Sequence, residues 1–398
     1  MHDYPGIVLT ALLILFFGLF SRLAERSPIT GPMFFVGVGL LLGPVGLDLF
    51  KVNANAAVVK TVAEITLILI LFVDATMIRS THLGKVLAGL PTRLLALGLP
   101  LTILFGIVVA KVLFPSMDIW LVVLVALILS PTDAALGLAV ISSPKVPAKI
   151  REALSIESGL NDGIVLPLVL VCIAVLVEGS QVIDGSGKWV VFMTQQLTIG
   201  PLVGGLIGWG GGYLVDRAAT AGWMKGAFQR LSALSLALLA FAGAELLQGN
   251  GFVAAFFAGL MLGVKTPVVR ERIQEFGEAE GQLLSLFMFL IFGLILVPIV
   301  ANVWNAWTLF YALLSLTVIR MLPVAISLVG SGLNVYSVGF IGWFGPRGIA
   351  SILFLLIAAG ELGVTGYEGA YSIIVLTVLI STFAHGCSAL VLTKHFKV

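Results

Sequence analysis

Long apolar runs follow one another along almost the whole of this 398-residue chain, and that feature alone rules out a soluble fold. A helix needs about 20 largely apolar residues to cross a hydrocarbon layer about 30 Å thick. Divided at its Gly, Pro and charged clusters, the sequence yields about thirteen such segments. They lie at residues 6–22, 29–47, 58–78, 86–114, 119–141, 152–177, 190–215, 231–248, 251–264, 282–301, 306–330, 338–360 and 370–392. The two weakest, 231–248 and 251–264, are separated only by the turn Gln248-Gly249-Asn250-Gly251. Charged residues make up 11% of the chain and hydrophobic ones 59%, whereas roughly a quarter of a soluble domain is charged. The expected class is therefore an all-α membrane protein, and the 45 glycines suit helices that pack closely or are interrupted.

Several function classes are excluded by the same composition. A formal net charge of +2 gives no reason to expect nucleic acid as a partner. Cys172 and Cys387 each sit in an apolar run, where they read as packing residues rather than as a disulfide or a metal site. The first run follows Met-His-Asp-Tyr-Pro without the basic leader of a secretory signal, so it is expected to be a membrane helix. Only Lys394-His395-Phe396-Lys397-Val398 follows the last run, and no soluble regulatory domain is expected. No cofactor is indicated.

The basic residues orient the chain, because cytoplasmic loops collect Lys and Arg. With the amino terminus outside, inner segments hold Arg22, Arg26, Arg79, Lys85, Arg93, Lys145, Lys149, Arg151, Arg217, Lys225, Arg230, Lys265, Arg270, Arg272, Lys394 and Lys397. Outer segments hold only Lys51, Lys60, Lys111 and Lys188. One missed span would invert every later loop and destroy the asymmetry, so an odd count with a cytoplasmic carboxyl terminus is expected in a cell membrane, plasma or inner. An odd count also allows two inverted six-helix repeats joined by a linking helix, the plan of many secondary transporters. The fifth and twelfth spans are then counterparts, and both carry a mid-span breaker: Leu129-Ser130-Pro131-Thr132-Asp133 and Phe344-Gly345-Pro346-Arg347-Gly348. Proline removes a helix bond and clashes with the preceding turn. At membrane depth such breaks are either ordinary kinks or discontinuous helices around a midplane ion site.

Ionisable residues within the spans bear on that choice. Each costs about 2.5–3.5 kcal/mol at a helix centre and so calls for a functional reason. Here they are Glu64, Asp74, Asp133, Glu157, Asp162, Glu245, Arg320 and Arg347. At about 1.5 Å per residue, Asp162 lies roughly 15 Å beyond Glu152 at the inner edge, near midplane, and Asp133 lies roughly 21 Å below Ile119 at the outer edge. The two carboxylates can therefore meet. Glu157 and Arg320 match in depth, about 7–9 Å from the inner edge, and in sign, which suggests a structural ion pair. Arg347 is the rival partner for Glu157, or else faces the carbonyl end of a half helix. Ser158 shares a helix face with Asp162, as Asn161 does with Glu157, and Thr132 offers a carbonyl freed at the break. Hard oxygen ligands of low total charge suit a dehydrated monovalent cation. A carboxylate kept from water is stable when neutralised by a proton or by a metal ion, and one site can hold only one of them.

Pro131-Thr132-Asp133, then Glu157-Ser158-Gly159-Leu160-Asn161-Asp162, Arg320 and Gly345-Pro346-Arg347-Gly348 together resemble the Na+/H+ antiporters of the monovalent cation/proton antiporter superfamily, in the electroneutral Asn-Asp branch. The resemblance covers the whole chain. It implies a homodimer with a moving, ion-carrying core at residues 86–177 and 306–392, and a scaffold and dimer contact at 1–78 and 190–301. It implies Na+ at Asp162, Asp133, Ser158 and the Thr132 backbone, an ion pair of Glu157 with Arg320, and one-for-one exchange given the neutral Asn161. An acidic residue of the third span contributes in some relatives, which raises Asp74; its alternative is a carboxylate facing water or Arg79. Ala134 follows Thr132-Asp133 where many relatives have proline, which stands here at Pro131 instead.

Other readings remain open on sequence. A K+/H+ exchanger shares the fold and carboxylate, whereas a cation channel would need a continuous pore with repeated rings. A Na+-coupled symporter also uses broken helices. His385, His82 and the acidic run from Glu271 to Glu280 are candidate pH sensors, though a lone His or a surface charge run is usually packed or solvated. Glu64 and Glu245 read as hydrogen-bonded scaffold residues.

Overall fold

The structure is a computed structural model and describes residues 4–24, 27, 29–49, 57–76, 89–133, 136–178, 188–262 and 267–396. Every regular element in these residues is helical. The helices are α1 (Tyr4–Ala24), α2 (Gly31–Leu42), α3 (Ala57–Thr76), α4 (Leu90–Leu113), α5 (Ile119–Ile128), α6 (Leu138–Ile141), α7 (Ala148–Glu178) and α8 (Lys188–Thr220). After them come α9 (Gly226–Leu246), α10 (Gly251–Met261), α11 (Pro267–Ile291), α12 (Ala306–Leu316), α13 (Val318–Ser327), α14 (Val335–Trp343), α15 (Ile349–Leu362) and α16 (Glu368–Thr393). Six helical stretches are long and apolar enough to cross a membrane, and shorter apolar helices accompany them. The chain is a multi-pass membrane protein.

Helix entries are set by short polar side chains, which satisfy backbone N–H groups that have no partner inside the helix. Asp118 accepts from Trp120 N at 2.8 Å, Asn250 from Val253 N at 2.9 Å, Asn305 from Trp307 N at 2.9 Å and Asn334 from Ser337 N at 2.8 Å. The weak turn between α9 and α10 is held the same way, by Glu245 accepting from Gly251 N at 2.8 Å. Glu64 is half-buried at a cleft beside α3.

Two arrangements differ from the sequence expectation. The charged stretch before residue 282 belongs to α11, whose helix begins at Pro267. Charge alone does not end a helix where one face can pack, and here Ile273 is buried while Gln274 donates to the Thr76 carbonyl at 2.9 Å, at the end of α3. The eleventh segment is two helices, meeting at Thr317.

The main hydrophobic core runs through α3, α5, α7, α10, α11, α15 and α16, and a second, smaller cluster joins α4, α7, α13 and α14. Apolar side chains also point outward, among them Leu202, Leu206 and Leu214 on α8 and Leu309 and Leu313 on α12, as expected of helices whose outer solvent is lipid. Small residues let backbones touch: a Cβ at Gly204 or Gly208 of α8 would strike the backbone of α10 at Ala254 or Ala258.

Candidate functional site

The fifth and twelfth apolar segments are both interrupted where their prolines stand. Between α5 and α6 the chain leaves the helix after Ile128, and between α14 and α15 it does so from Phe344 to Gly348. The two interruptions cross. Asp133 N donates to the Pro346 carbonyl at 2.9 Å, and Ser351 Oγ donates to the Ile128 carbonyl at 2.7 Å.

Charge complements the exposed helix ends at this crossing. Asp133 Oδ2 accepts from Ile349 N, the first residue of α15, at 2.6 Å. A carboxylate is favoured there because a helix amino terminus presents unpaired N–H groups and a positive dipole end. Arg347 Nη1 donates to the carbonyls of Ser130 and Pro131 at 2.9 and 3.1 Å, just past the end of α5, where a cation is favoured for the converse reason. Both side chains are buried. The glycines flanking the second break make room for these charges: a Cβ at Gly348 would strike the Asp133 carboxylate, and one at Gly345 would strike the Arg320 guanidinium. The sequence motif marks a helix break but carries no sign of which group each glycine faces.

Helix α7 brings the remaining polar groups to the first break. Ser158 Oγ donates to the Thr132 carbonyl at 2.7 Å, and Asn161 Nδ2 donates to Thr132 Oγ1 at 2.8 Å. Asp162 is 4% exposed, and among the described residues its fully buried Oδ1 has no hydrogen-bond partner, nor does the buried Asn161 Oδ1. Asp74 and Asp133 both lie within electrostatic reach of Asp162. The Asp74 backbone packs on α7 at Gly159, one turn from Asp162, and its side chain is only partly buried. Arg79, its other suggested neighbour, is outside the described residues, as are His82 and Ala134.

Glu157 points to a different neighbour. Arg320 Nη1 lies 2.6 Å from its Oε1 and Nη2 donates to Oε2 at 2.9 Å, with both side chains 1% exposed. Arg347 contacts carbonyls instead. The residues expected at the ion site and its ion pair, Thr132, Asp133, Glu157, Ser158, Asn161, Asp162, Arg320, Arg347 and more peripherally Asp74, thus gather around one helix crossing, whereas Glu64 and Glu245 lie elsewhere. Sequence reading missed Ser351 and Ser381, and the room that Gly345 and Gly348 leave for charged neighbours. Their only signal was the spacing of small and polar residues in otherwise apolar helices, which is too common in membrane proteins to single them out.

Two broken helices crossing beside a buried, unpartnered carboxylate define a membrane protein of the secondary-transporter design. The chain belongs to the sodium/hydrogen exchanger family, whose transmembrane model matches residues 8–394. It is 28% identical over 99% of its length to the K(+)/H(+) antiporter NhaP2 of Shewanella oneidensis, and 30% identical over 88% to the K(+)/H(+) antiporter NhaP of Alkalimonas amylolytica. These matches span 66% and 60% of the respective relatives, so the chain corresponds to less than two thirds of their length. Its fold matches the sodium proton antiporter MjNhaP1 of Methanocaldococcus jannaschii with a TM-score of 0.79, at 20% identity, over 100% of this chain and 99% of that one.

Proposed function

We propose that this protein exchanges Na+, or Li+, for a proton by alternating access, and that Asp162 is the exchanging carboxylate. One observation carries the reading: Asp162 is buried, and among the described residues no hydrogen-bond donor meets its Oδ1. An unpartnered carboxylate in a dry site is costly unless a proton or a cation neutralises it. The two exclude each other, which is the requirement for coupled exchange.

The ligands follow from where hydrogens point. The Ser158 hydroxyl spends its hydrogen on the Thr132 carbonyl, so Ser158 Oγ keeps lone pairs for a cation and the carbonyl oxygen keeps a second one. Asp133 anchors α15 and supplies charge nearby, Asn161 holds the Thr132 side chain, and Asp74 stands at the edge of the site. Glu157 with Arg320 is the structural pair within the moving part. In this reading about thirteen spans form two inverted repeats, with the core at 86–177 and 306–392, the scaffold at 1–78 and 190–301, a homodimer joined through the scaffold, the amino terminus outside and the carboxyl terminus cytoplasmic.

A second reading is K+/H+ exchange, which the names of the two curated relatives favour. Dequenching of a pH-gradient dye in proteoliposomes on addition of Na+, Li+ or K+ separates the two. Wild-type protein is expected to respond and Asp162→Asn to stay silent; exchange by the Asn variant would overturn the assignment of Asp162.

A further inference from the structure

We propose that His385, acting through Ser381, is a positioning residue of the ion site: it clamps both sides of the α14–α15 break and so fixes where the Thr132 carbonyl stands. The choice of assay rests on the antiport reading above. Ser381, His385 and Ser388 occupy positions i, i+4 and i+7 of α16 and form one polar stripe along it. That stripe faces the break. His385 Nε2 lies 2.8 Å from the carbonyl of Trp343, the last residue of α14. On the other side of the break, Arg347 N donates to Ser381 Oγ at 2.7 Å.

A carbonyl only accepts, so Nε2 carries a hydrogen and gives it to Trp343. Ser381 Oγ accepts from Arg347 N and lies 3.1 Å from His385 Nδ1, which also stands 3.0 Å from the Ser381 carbonyl. The ring thus links Trp343 O to Ser381, and the Ser381 hydroxyl links it on to Arg347 N. The Trp343 indole lies against the imidazole at a ring-centre distance of 4.9 Å and donates to Ser388 Oγ at 2.9 Å, which holds the ring's orientation. All of this is buried: His385 is 1% exposed and Ser381 0%.

The consequence reaches the ion site in two steps. Pinning Arg347 N and Trp343 O fixes the path of Phe344-Gly345-Pro346 between them, a stretch in which proline has no N–H of its own to be held by. That path places the Pro346 carbonyl on Asp133 N and the Arg347 guanidinium on the Ser130 and Pro131 carbonyls. Thr132 lies between these held peptides, and its carbonyl is the one that receives Ser158. A histidine that merely filled core space would not need to bridge the two ends of a helix break.

Three variants test the proposal: Ser381→Ala, His385→Leu and His385→Gln. Gln can donate an amide N–H to Trp343 and accept from Ser381, and Leu can do neither. In proteoliposomes Ser381→Ala and His385→Leu are expected to raise the apparent KM for the transported cation by about fivefold or more, the scale of one lost hydrogen bond, with the maximal rate within about twofold. His385→Gln should keep both values within about twofold of wild type. An unchanged KM in Ser381→Ala, or a Gln variant as impaired as Leu, overturns the proposal. Should His385→Leu fail to fold, Ser381→Ala against His385→Gln decides. Thermal stabilisation of the detergent-solubilised protein by added Na+, Li+ or K+ gives the same ranking without transport. If wild type is stabilised but exchanges nothing, antiport fails while the positioning role is still read from the variants.

Discussion

The Glu157–Arg320 pair offers the largest single perturbation whose size can be worked from geometry. Two contacts of 2.6 and 2.9 Å join side chains that are each 1% exposed, so neither partner has water to fall back on. Truncating one member of such a pair costs about 3–5 kcal/mol, because the other is left charged and buried. The two truncations should not be equal. In Glu157→Leu the orphaned guanidinium cannot shed its charge, since Arg stays protonated in proteins, and its neighbour at Gly345 offers it no side-chain acceptor. In Arg320→Met the orphaned carboxyl can take up a proton, which limits the penalty. We expect about 5 kcal/mol for the first and about 3 kcal/mol for the second, with the double variant within about 1 kcal/mol of wild type because no charge remains to be buried. The cycle then gives a coupling of about 7 kcal/mol or more between the two positions, the two single losses less that of the double variant. Unfolding in detergent micelles, followed by tryptophan fluorescence, measures all four proteins. Single variants as stable as wild type would refute the reasoning, and so would a double variant whose loss is the sum of the two. A stable double variant that no longer exchanged ions would move Glu157 from the structural role to the transport cycle.

Two further outcomes follow from the same contacts. Gly348→Ala places a Cβ against the Asp133 carboxylate and is expected to cut transport at least about tenfold and lower stability by about 1–3 kcal/mol, as overpacking does; normal transport would show that the crossing tolerates displacement. Lys60 of α3 pairs with Glu361 of α15 at 2.9 Å beside a cleft of about 320 Å³, across the proposed boundary of scaffold and core. A thiol cross-linker bridging Lys60→Cys and Glu361→Cys on a Cys387→Ser background should stop exchange reversibly, and undiminished exchange in the linked protein would show that the core does not move there.

Much of this arrangement was legible before any coordinates. Apolar runs mark helices because a lipid-facing helix has little else to show, and Pro131 and Pro346 mark breaks because proline cannot donate in a helix. Asp162, Glu157 and Arg320 stand out because charge is costly in hydrocarbon. Partner choice was harder: Glu157 faces Arg320 and Arg347 faces carbonyls, a distinction that depends on how far each half helix extends rather than on depth alone. Asp133 reads from the sequence as a cation ligand, and its contact with the amino terminus of α15 through Oδ2 has no sign there. Ser381 and His385 were least visible, since a hydroxyl and an imidazole one turn apart look the same whether they pack or clamp. The helical start of α11 was hidden for the opposite reason, its charges masking a face that packs on α3.

The buried charges also bear on stoichiometry. Glu157 and Arg320 cancel within one ion pair. Asp133 and Arg347 cancel across the crossing, each bound to the helix end of opposite polarity. Asp74 is half-buried and packs on α7 at Gly159. Among the described residues, the fully buried carboxylate left without a compensating contact is Asp162, and Asn161 beside it adds no second. A core that must be neutral to cross the scaffold boundary can satisfy one carboxylate with one proton or with one monovalent cation, and either loaded form then carries the same net charge. Exchange is thus expected to be one for one and its rate insensitive to an imposed membrane potential. A potential that drove cation accumulation in proteoliposomes at equal pH would require a second titrating group, and Asp74 would be the residue to neutralise next.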